Sequence, residues 1–212
     1  NYTTEYEHLV SKGLKMAILI SSQSISHHDG WTAYRSSYLP SMSYSLPATC
    51  FNLKQLATIQ RRPIRALLSA MGFNRNMPLS VVFGPQYLNG IGIMHLFVGQ
   101  GSQKASALLQ HIRQNSRLGQ MIWTAIQWTQ VTAGVGFAIL AEPRRFLPHG
   151  VGKRIPSLRH FLADSEFTLE INDTYTVRLR RIHDSILMED TMARGFTDGD
   201  MQAINRCRLY PQ

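Results

Sequence analysis

Basic side chains at helical spacing are the residues of this sequence best suited to bind a ligand. Lys54, Arg61 and Arg65 are separated by seven and four residues, so a helix places all three on one face. Arg62 would point away from that face. Lysine and arginine neutralise phosphate groups, and such contacts give affinity for nucleic acid without reading its sequence.

Arg75 lies in a different setting, a Gly-Phe-Asn-Arg-Asn segment whose Asn side chains could also bond to phosphate. An arginine that only braces its own loop is an equally good interpretation of this position. The sequence therefore predicts a nucleic-acid-binding surface with two groups of candidate residues. They are Lys54, Arg61, Arg65 and Arg75 in the first group, and Arg113 and Arg117 in the second.

Acidic residues are missing from the middle of the chain. The 212 residues include 22 Lys and Arg against 13 Asp and Glu, which gives a net charge of +9. No Asp or Glu occurs between Gly30 and Ala141, whereas nine Lys and Arg lie there. Ordinary solvated surfaces mix both signs of charge, so this segment favours a polyanionic partner. The alternative is that its basic groups are scattered over all faces of a merely polar segment.

Sequence signatures of catalysis and metal binding are absent. The sequence has no Gly-x-x-x-x-Gly-Lys loop, no cysteine pair at zinc spacing and no Gly-x-Ser-x-Gly elbow. The segment without carboxylates cannot hold the divalent ions of a two-metal polymerase or nuclease site. We therefore predict no catalytic residue, no metal site and no cofactor in this chain.

The cysteine count and the apolar runs indicate the cellular setting. Cys50 and Cys207 alone cannot frame a disulfide-stabilised secreted fold of this length. No apolar run approaches the ~20 residues that a membrane span needs, and the first residues are polar and acidic rather than signal-like. We expect an intracellular protein without a membrane partner. Because the chain does not begin with Met and stops at Pro211-Gln212, we expect it to be a piece of a longer polypeptide.

Helical periodicity dominates the elements that would hold the basic residues. One helix is predicted from Tyr2 to about Ser21, and another, capped by Asn52, runs to Met71. Pro63 falls inside the second helix and predicts a kink or a break near Arg62. Further helices are predicted at 96–115 and 117–131. The aromatic run Trp31, Tyr34, Tyr38 and Tyr44 is typical of a core rather than of a base-stacking surface.

The last third of the chain predicts a change of structure. Phe167 to Ile171 alternates between apolar and polar residues, a turn follows at 172–174, and a return strand follows the turn. The fold class is therefore mainly α, an irregular helical bundle with a small β-hairpin in the C-terminal third. The predicted domains are a helical domain at 1–142, a Pro/Gly/basic linker at 143–156 and a small α/β segment at 157–212.

Several short blocks of the sequence resemble one known family. The blocks are the run from Tyr38 to Ala48, the break from Met71 to Pro78, the Asn-Gly-Ile-Gly-Ile segment at 89–93 and the run from Asn205 to Tyr210. They are similar to the region after the palm in retrotransposon reverse transcriptases, of the non-LTR-like kind found in retroelements of protists or fungi. The resemblance runs from about Tyr34 to Tyr210, and none of its motifs is catalytic.

The resemblance implies that the parent polypeptide is an RNA-directed DNA polymerase. The palm aspartates of that family and their magnesium would lie before Asn1, and no Asp-Asp pair occurs here, so the resemblance assigns no catalytic residue to this chain. It implies instead a thumb-like helical bundle and the connection after it. The implied partners are an RNA–DNA or DNA duplex, held through its phosphates, and the palm domain of the parent polypeptide. The implied location is the nucleus.

Two other functions remain open from the sequence. An independent DNA-binding module would need an exposed recognition helix, but the helix from Lys54 to Met71 is apolar and contains a proline. A structural or protein-interaction domain, such as a decayed retroelement fragment, would use a partner-facing patch of Trp31, Trp123, Trp128 and methionines. A complete small enzyme would require a carboxylate or histidine cluster that the sequence lacks.

Overall fold

The fold is mainly α, as predicted from the sequence. The computed structural model describes residues 2–22, 25–145, 147 and 152–171, and the backbone of 177–181 and 187–190. The helices of this part of the chain are α1 (Tyr2–Ser21), α2 (His27–Ala33), α3 (Leu39–Ser43), α4 (Leu53–Ala70), α5 (Leu79–Phe83), α6 (Leu96–Arg113), α7 (Arg117–Ala133) and α8 (Arg154–Asp164). A π-helical turn, Tyr34–Tyr38, joins α2 to α3, and 3-10 turns lie at Leu46–Ala48 and Gln86–Leu88.

Two compact units divide the chain, one of residues 1–100 and the other of residues 101–212. The first unit contains α1 to α5 and the beginning of α6, and the second contains the remainder of α6, α7, α8 and the strands. The domain boundaries expected from the sequence, 1–142, 143–156 and 157–212, stay predictions.

Helices α1 and α4 form the centre of the first unit. The α1 residues Leu9, Ala17 and Ile20 are buried at helical spacing, as expected when one stripe of a helix faces the core. Gly13 lies against α4, where a methyl group at its Cα would be 3.0 Å from the carbonyl oxygen of Ile59 and 3.3 Å from Cγ of Pro63. The missing side chain therefore lets the two helices approach closely.

Pro63 does not break α4, which runs from Leu53 to Ala70 as one helix. Of the kink or break predicted near Arg62, the break does not occur, for a reason that lies on the neighbouring helix, and the kink stays a prediction. A proline inside a helix has no amide hydrogen and crowds the carbonyl four residues before it, here that of Ile59. Gly13 of α1 leaves room beside both the carbonyl and the ring, so α4 continues through the proline.

Aromatic side chains stack along the turn between α2 and α3. The rings of Trp31 and Tyr34 are 5.8 Å apart and those of Tyr34 and Tyr38 are 5.5 Å apart, both in stacked geometry. Tyr34 and Tyr38 are buried, so the prediction of a core role is confirmed for them. It is wrong for Tyr44, which is 92% exposed at the end of α3.

A buried polar network ties α4 to the start of α6. The side-chain amide of Gln60 donates to the Met94 carbonyl (2.7 Å) and its oxygen accepts from the Leu96 N–H (3.0 Å). The hydroxyl of Tyr34 donates to the same Met94 carbonyl (3.0 Å). Because buried polar groups are costly to leave unpaired, this network fixes the rotation of α4 about its own axis.

Arg159 of α8 organises the loop after α7 in the second unit. The side chain is buried and donates to three backbone carbonyls, those of Ile139 (2.8 Å), Arg145 (2.8 Å) and Glu142 (3.3 Å). Burial lowers the pKa of its guanidinium. Residues 139–145, which overlap the predicted linker, are therefore braced by an arginine from a later helix.

The strand predicted in the C-terminal third is confirmed as β1 (Phe167–Ile171), whose N–H at Leu169 donates to the Leu140 carbonyl (3.0 Å). The backbone pairs β1 with β2 (Val177–Arg181) and β2 with β3 (Leu187–Asp190), both antiparallel. Residues 172–176, which include the predicted turn, lie outside the described residues, so the hairpin itself is not confirmed.

Candidate functional site

Helix α4 presents arginines to solvent because its opposite face is fixed in the core. Asn52 and Gln55 form a capping box at its start, in which the Asn52 side chain accepts from the Gln55 N–H (2.8 Å) and the Gln55 side chain accepts from the Asn52 N–H (3.0 Å). Its buried positions include Leu56, Ile59 and Leu67. The arginines of the same helix point the other way and are exposed.

The loop after α4 positions Arg75. The helix ends at Ala70. Gly72, just beyond it, has a φ of 80°, and the Phe73 N–H bonds back to the Leu68 carbonyl (2.8 Å). Asn74 then makes a tight turn, because its side-chain oxygen accepts from the Asn76 N–H (2.9 Å) and its carbonyl accepts from the Met77 N–H (3.0 Å). Arg75 stands inside this turn and is exposed.

An open groove of about 810 Å³ lies between the last turns of α1, the second half of α4 and the loop that carries Arg75. We call it the arginine groove. Three residues come from the end of α1 and one directly follows it, four come from α4, and two come from the loop. They are Ala17, Ile18, Ser21, Ser22, Arg62, Arg65, Ala66, Ser69, Arg75 and Asn76.

The charge of the arginine groove is of one sign. Arg62, Arg65 and Arg75 are its only charged lining residues, and no carboxylate lines it. None of the three guanidinium groups has a hydrogen bond or an ion pair with another residue in the part of the chain that the structure describes. Three cations without an ion pair around one concave surface have the charge and the donors to suit an anion with several negative charges.

Two of the residues predicted from the sequence, Arg65 and Arg75, line the arginine groove. Lys54 and Arg61 are exposed on α4 but do not line the groove. Arg117 is exposed at the first position of α7, in the second unit. The guanidinium nitrogens of Arg113 are buried, so in this structure that side chain cannot reach a phosphate in solvent, and it is not part of the candidate site.

Arg62 is the residue that the sequence analysis missed. The spacing from Lys54 through Arg61 to Arg65 selects one face of an isolated helix, and Arg62 points away from it. The groove, however, is defined by α1, which packs beside α4 and leaves Arg62 and Arg65, one turn apart, on its rim. The sequence information that identifies Arg62 lies in another helix, because the apolar stripe of α1 and Gly13 determine where α1 crosses α4.

The lining of the arginine groove lacks the side chains that acid–base catalysis and metal binding use. No Asp, Glu, His or Cys lines it, and the described residues contain no group of three or more such side chains able to hold a metal ion. Across the same residues, no helix is both long enough and apolar enough to cross a membrane. The arrangement is suited to binding by charge and hydrogen bonds.

Comparison with known proteins adds no relative: no family model, no curated protein and no solved structure matches the chain. The resemblance to reverse transcriptases therefore stays an expectation from the short sequence blocks.

Proposed function

We propose that the first unit binds the phosphate backbone of nucleic acid at the arginine groove. The observation that carries this proposal is the convergence of Arg62, Arg65 and Arg75 from two segments on one carboxylate-free groove. Each guanidinium offers several N–H donors in a planar fork that matches the geometry of phosphate oxygens. None of the three is engaged by another group among the described residues, so no protein ion pair has to be broken.

The sequence supports a polymeric rather than a small anionic ligand. No Asp or Glu occurs between Gly30 and Ala141, so the attraction extends well beyond the groove. A polyanion profits from such an extended field, because each neutralised phosphate releases bound counterions and adds to the affinity. Base edges are not needed for this binding, and we expect little sequence selectivity.

The test compares two charge-matched double variants of α4 in the full chain. Arg62→Gln with Arg65→Gln removes two groove arginines, whereas Lys54→Gln with Arg61→Gln removes two exposed cations of the same helix outside the groove. Fluorescence anisotropy with labelled DNA and RNA across a salt series gives the affinity and the slope of log affinity against log salt. The groove pair should lower that slope by about 1.4 to 1.8, at roughly 0.7 to 0.9 per phosphate contact.

The Lys54 and Arg61 pair should change the slope by much less, because those side chains act only through the general field. Equal losses from both double variants would show that net charge alone drives binding and would contradict a site at the groove. Retained affinity and slope after adding Arg75→Gln to the groove pair would contradict the proposal as a whole. Circular dichroism of each variant checks that the helices are intact.

The same proposal includes the origin that the short sequence blocks indicate, a retrotransposon reverse transcriptase. A chain that binds phosphates through a basic surface suits the part of a reverse transcriptase beyond the palm, where it would hold template–primer nucleic acid. A nuclear location belongs to this proposal. Both stand on the sequence resemblance and on the basic groove together.

A second candidate function, protein interaction, is favoured by an apolar face on α7. Met121, Trp128 and Val131 are 62%, 59% and 73% exposed along one side of this helix. Of the tryptophans in the patch expected from the sequence, Trp31 and Trp123 are half-buried and Trp128 is exposed. Exposed apolar faces of this kind mark partner surfaces. Sedimentation velocity of the chain with and without Trp128→Gln tests self-association through this face, which should fall in the variant.

A further inference from the structure

The two walls of the arginine groove differ in chemistry. The α4 and loop wall carries all the charge, as Arg62, Arg65 and Arg75. The α1 wall carries no charged lining residue, and its most prominent side chain is Ile18, which is 60% exposed. A ligand that fills the groove meets cations on one side and an exposed aliphatic side chain on the other.

A single nucleic-acid strand has the same asymmetry. Its phosphates lie along one edge, and its unpaired bases present apolar faces along the other. A duplex hides those faces in its stack, so it could use the cationic wall and leave Ile18 in water. On the basis of the proposed function, we infer that the groove takes an unpaired segment of a nucleic-acid strand. The arginines hold its phosphates, and a base packs against Ile18.

Neutral polar groups in the groove fit this ligand. Ser69 and Asn76 are exposed lining residues whose side chains have no hydrogen bond among the described residues. Hydroxyl and amide groups pair with sugar hydroxyls and with the edges of unstacked bases. In a duplex the edges of the bases are engaged in base pairs, so the side chains of Ser69 and Asn76 would find fewer partners there.

An acidic amphipathic peptide is the competing ligand, and the extent of the apolar wall counts against it. Such a helix docks through a row of anchors at positions i, i+3, i+4 and i+7. Ile18 is the only large apolar side chain that lines the groove. One aliphatic contact suffices for a planar base but not for the apolar face of a helix.

The experiment measures anisotropy of the full chain with three labelled ligands of ~20 nucleotides. They are a single strand, the same strand with abasic sites in place of its bases, and a blunt duplex. Ile18→Ser is compared with Leu19→Ser, because Leu19 is 59% exposed on the next position and does not line the groove. Both positions are on the surface, so the fold should tolerate either change, and circular dichroism verifies this.

The expected result is that the base-bearing strand binds more tightly than the duplex. It should also bind about threefold to tenfold more tightly than the abasic strand, because the base covers the apolar surface of one aliphatic side chain. Ile18→Ser should reduce its affinity to near that of the abasic strand, with an unchanged salt slope, and Leu19→Ser should not. Equal affinity for base-bearing and abasic strands, tighter binding of the duplex, or equal effects of the two serine variants overturns the inference. If one of these three results is found while binding still depends on Arg62 and Arg65, the inference fails and the proposed function stands.

Loss of that arginine dependence marks failure of the proposed function instead. An acidic amphipathic peptide is then tested as a competitor. If it displaces the strand, and if Ile18→Ser weakens binding of the peptide more than binding of the strand, the groove belongs to a protein partner and the inference is overturned.

Discussion

His95 should make the first unit less stable in mild acid. The side chain stands directly before α6, where its Nδ1 accepts a hydrogen bond from the Phe97 N–H (3.1 Å). It is 6% exposed, and its ring packs in a T-shaped arrangement with that of Phe83, with 4.8 Å between the ring centroids. An Nδ1 that accepts must be unprotonated, so protonation would both remove this cap of α6 and bury a charge.

The size of the effect follows from the pKa. Burial lowers the pKa of His95 from 6.5 to about 4. The unfolded chain therefore binds more protons than the folded chain between these values, and stability falls as the pH decreases from about 6.5 towards 4. The contribution of His95 is nearly complete at about one pH unit above 6.5, and about 2 kcal/mol of it is lost by pH 5.

The assay is urea unfolding at pH 7.5 and pH 5, followed by the fluorescence of Trp31, the only tryptophan of residues 1–100. Trp123→Phe and Trp128→Phe remove the signal of the second unit. The reference variant is His95→Asn, since asparagine keeps an acceptor at the start of the helix but does not titrate. We expect the free energy of unfolding of the parent chain, relative to His95→Asn, to fall by about 2 kcal/mol between the two pH values. A difference that is the same at both pH values would refute the reasoning.

Three further changes test the packing that holds the site and the loop. Gly13→Ala should destabilise the first unit by about 1 kcal/mol in urea unfolding, because crowding against the Ile59 carbonyl (3.0 Å) outweighs the helix propensity gained. Asn52→Ala should cost about 1 kcal/mol in the same assay, through loss of the capping box of α4. Arg159→Met should cost about 2 to 3 kcal/mol in the second unit and speed tryptic cleavage at the arginines of the 139–145 loop. Exposed Arg154 of α8 is the control, and its change to Met should leave cleavage unaffected.

Each of these has a result that would contradict it. Stabilisation by Gly13→Ala would mean that α1 and α4 move apart without cost. Equal stability of Asn52→Ala and Asn52→Asp would mean that the capping bond contributes nothing. Unchanged cleavage of the Arg159→Met chain would mean that the loop is held by other contacts.

Elements with strong local signals could be predicted from the sequence. The apolar stripe at Leu9, Ala17 and Ile20 predicts α1 with its observed bounds, and Asn52 predicts the start of α4. These signals work because they depend on residues within one or two turns of each other. The alternating run from Phe167 to Ile171 belongs to the same class.

Features that depend on a distant part of the chain could not be predicted. The continuity of α4 at Pro63 depends on Gly13, which is 50 residues away. The importance of Arg62 depends on where α1 crosses α4, and no helical wheel of α4 contains that information. Arginine is usually a surface residue, but Arg159 is buried because its guanidinium pairs with three carbonyls of an earlier loop.

The Arg159 brace also sets an order of events during protein synthesis. The carbonyl of Ile139 leaves the ribosome 20 residues ahead of the guanidinium that binds it. At about 5 to 20 residues per second, that gap lasts about 1 to 4 s. For that time the nascent loop has its own turn hydrogen bonds, such as those from the Ala141 and Glu142 N–H groups to the Ala138 carbonyl, but it lacks the three that Arg159 donates. The loop is therefore a late-folding segment of the second unit, and a translational pause between residues 145 and 159 would prolong its exposure to proteases and chaperones.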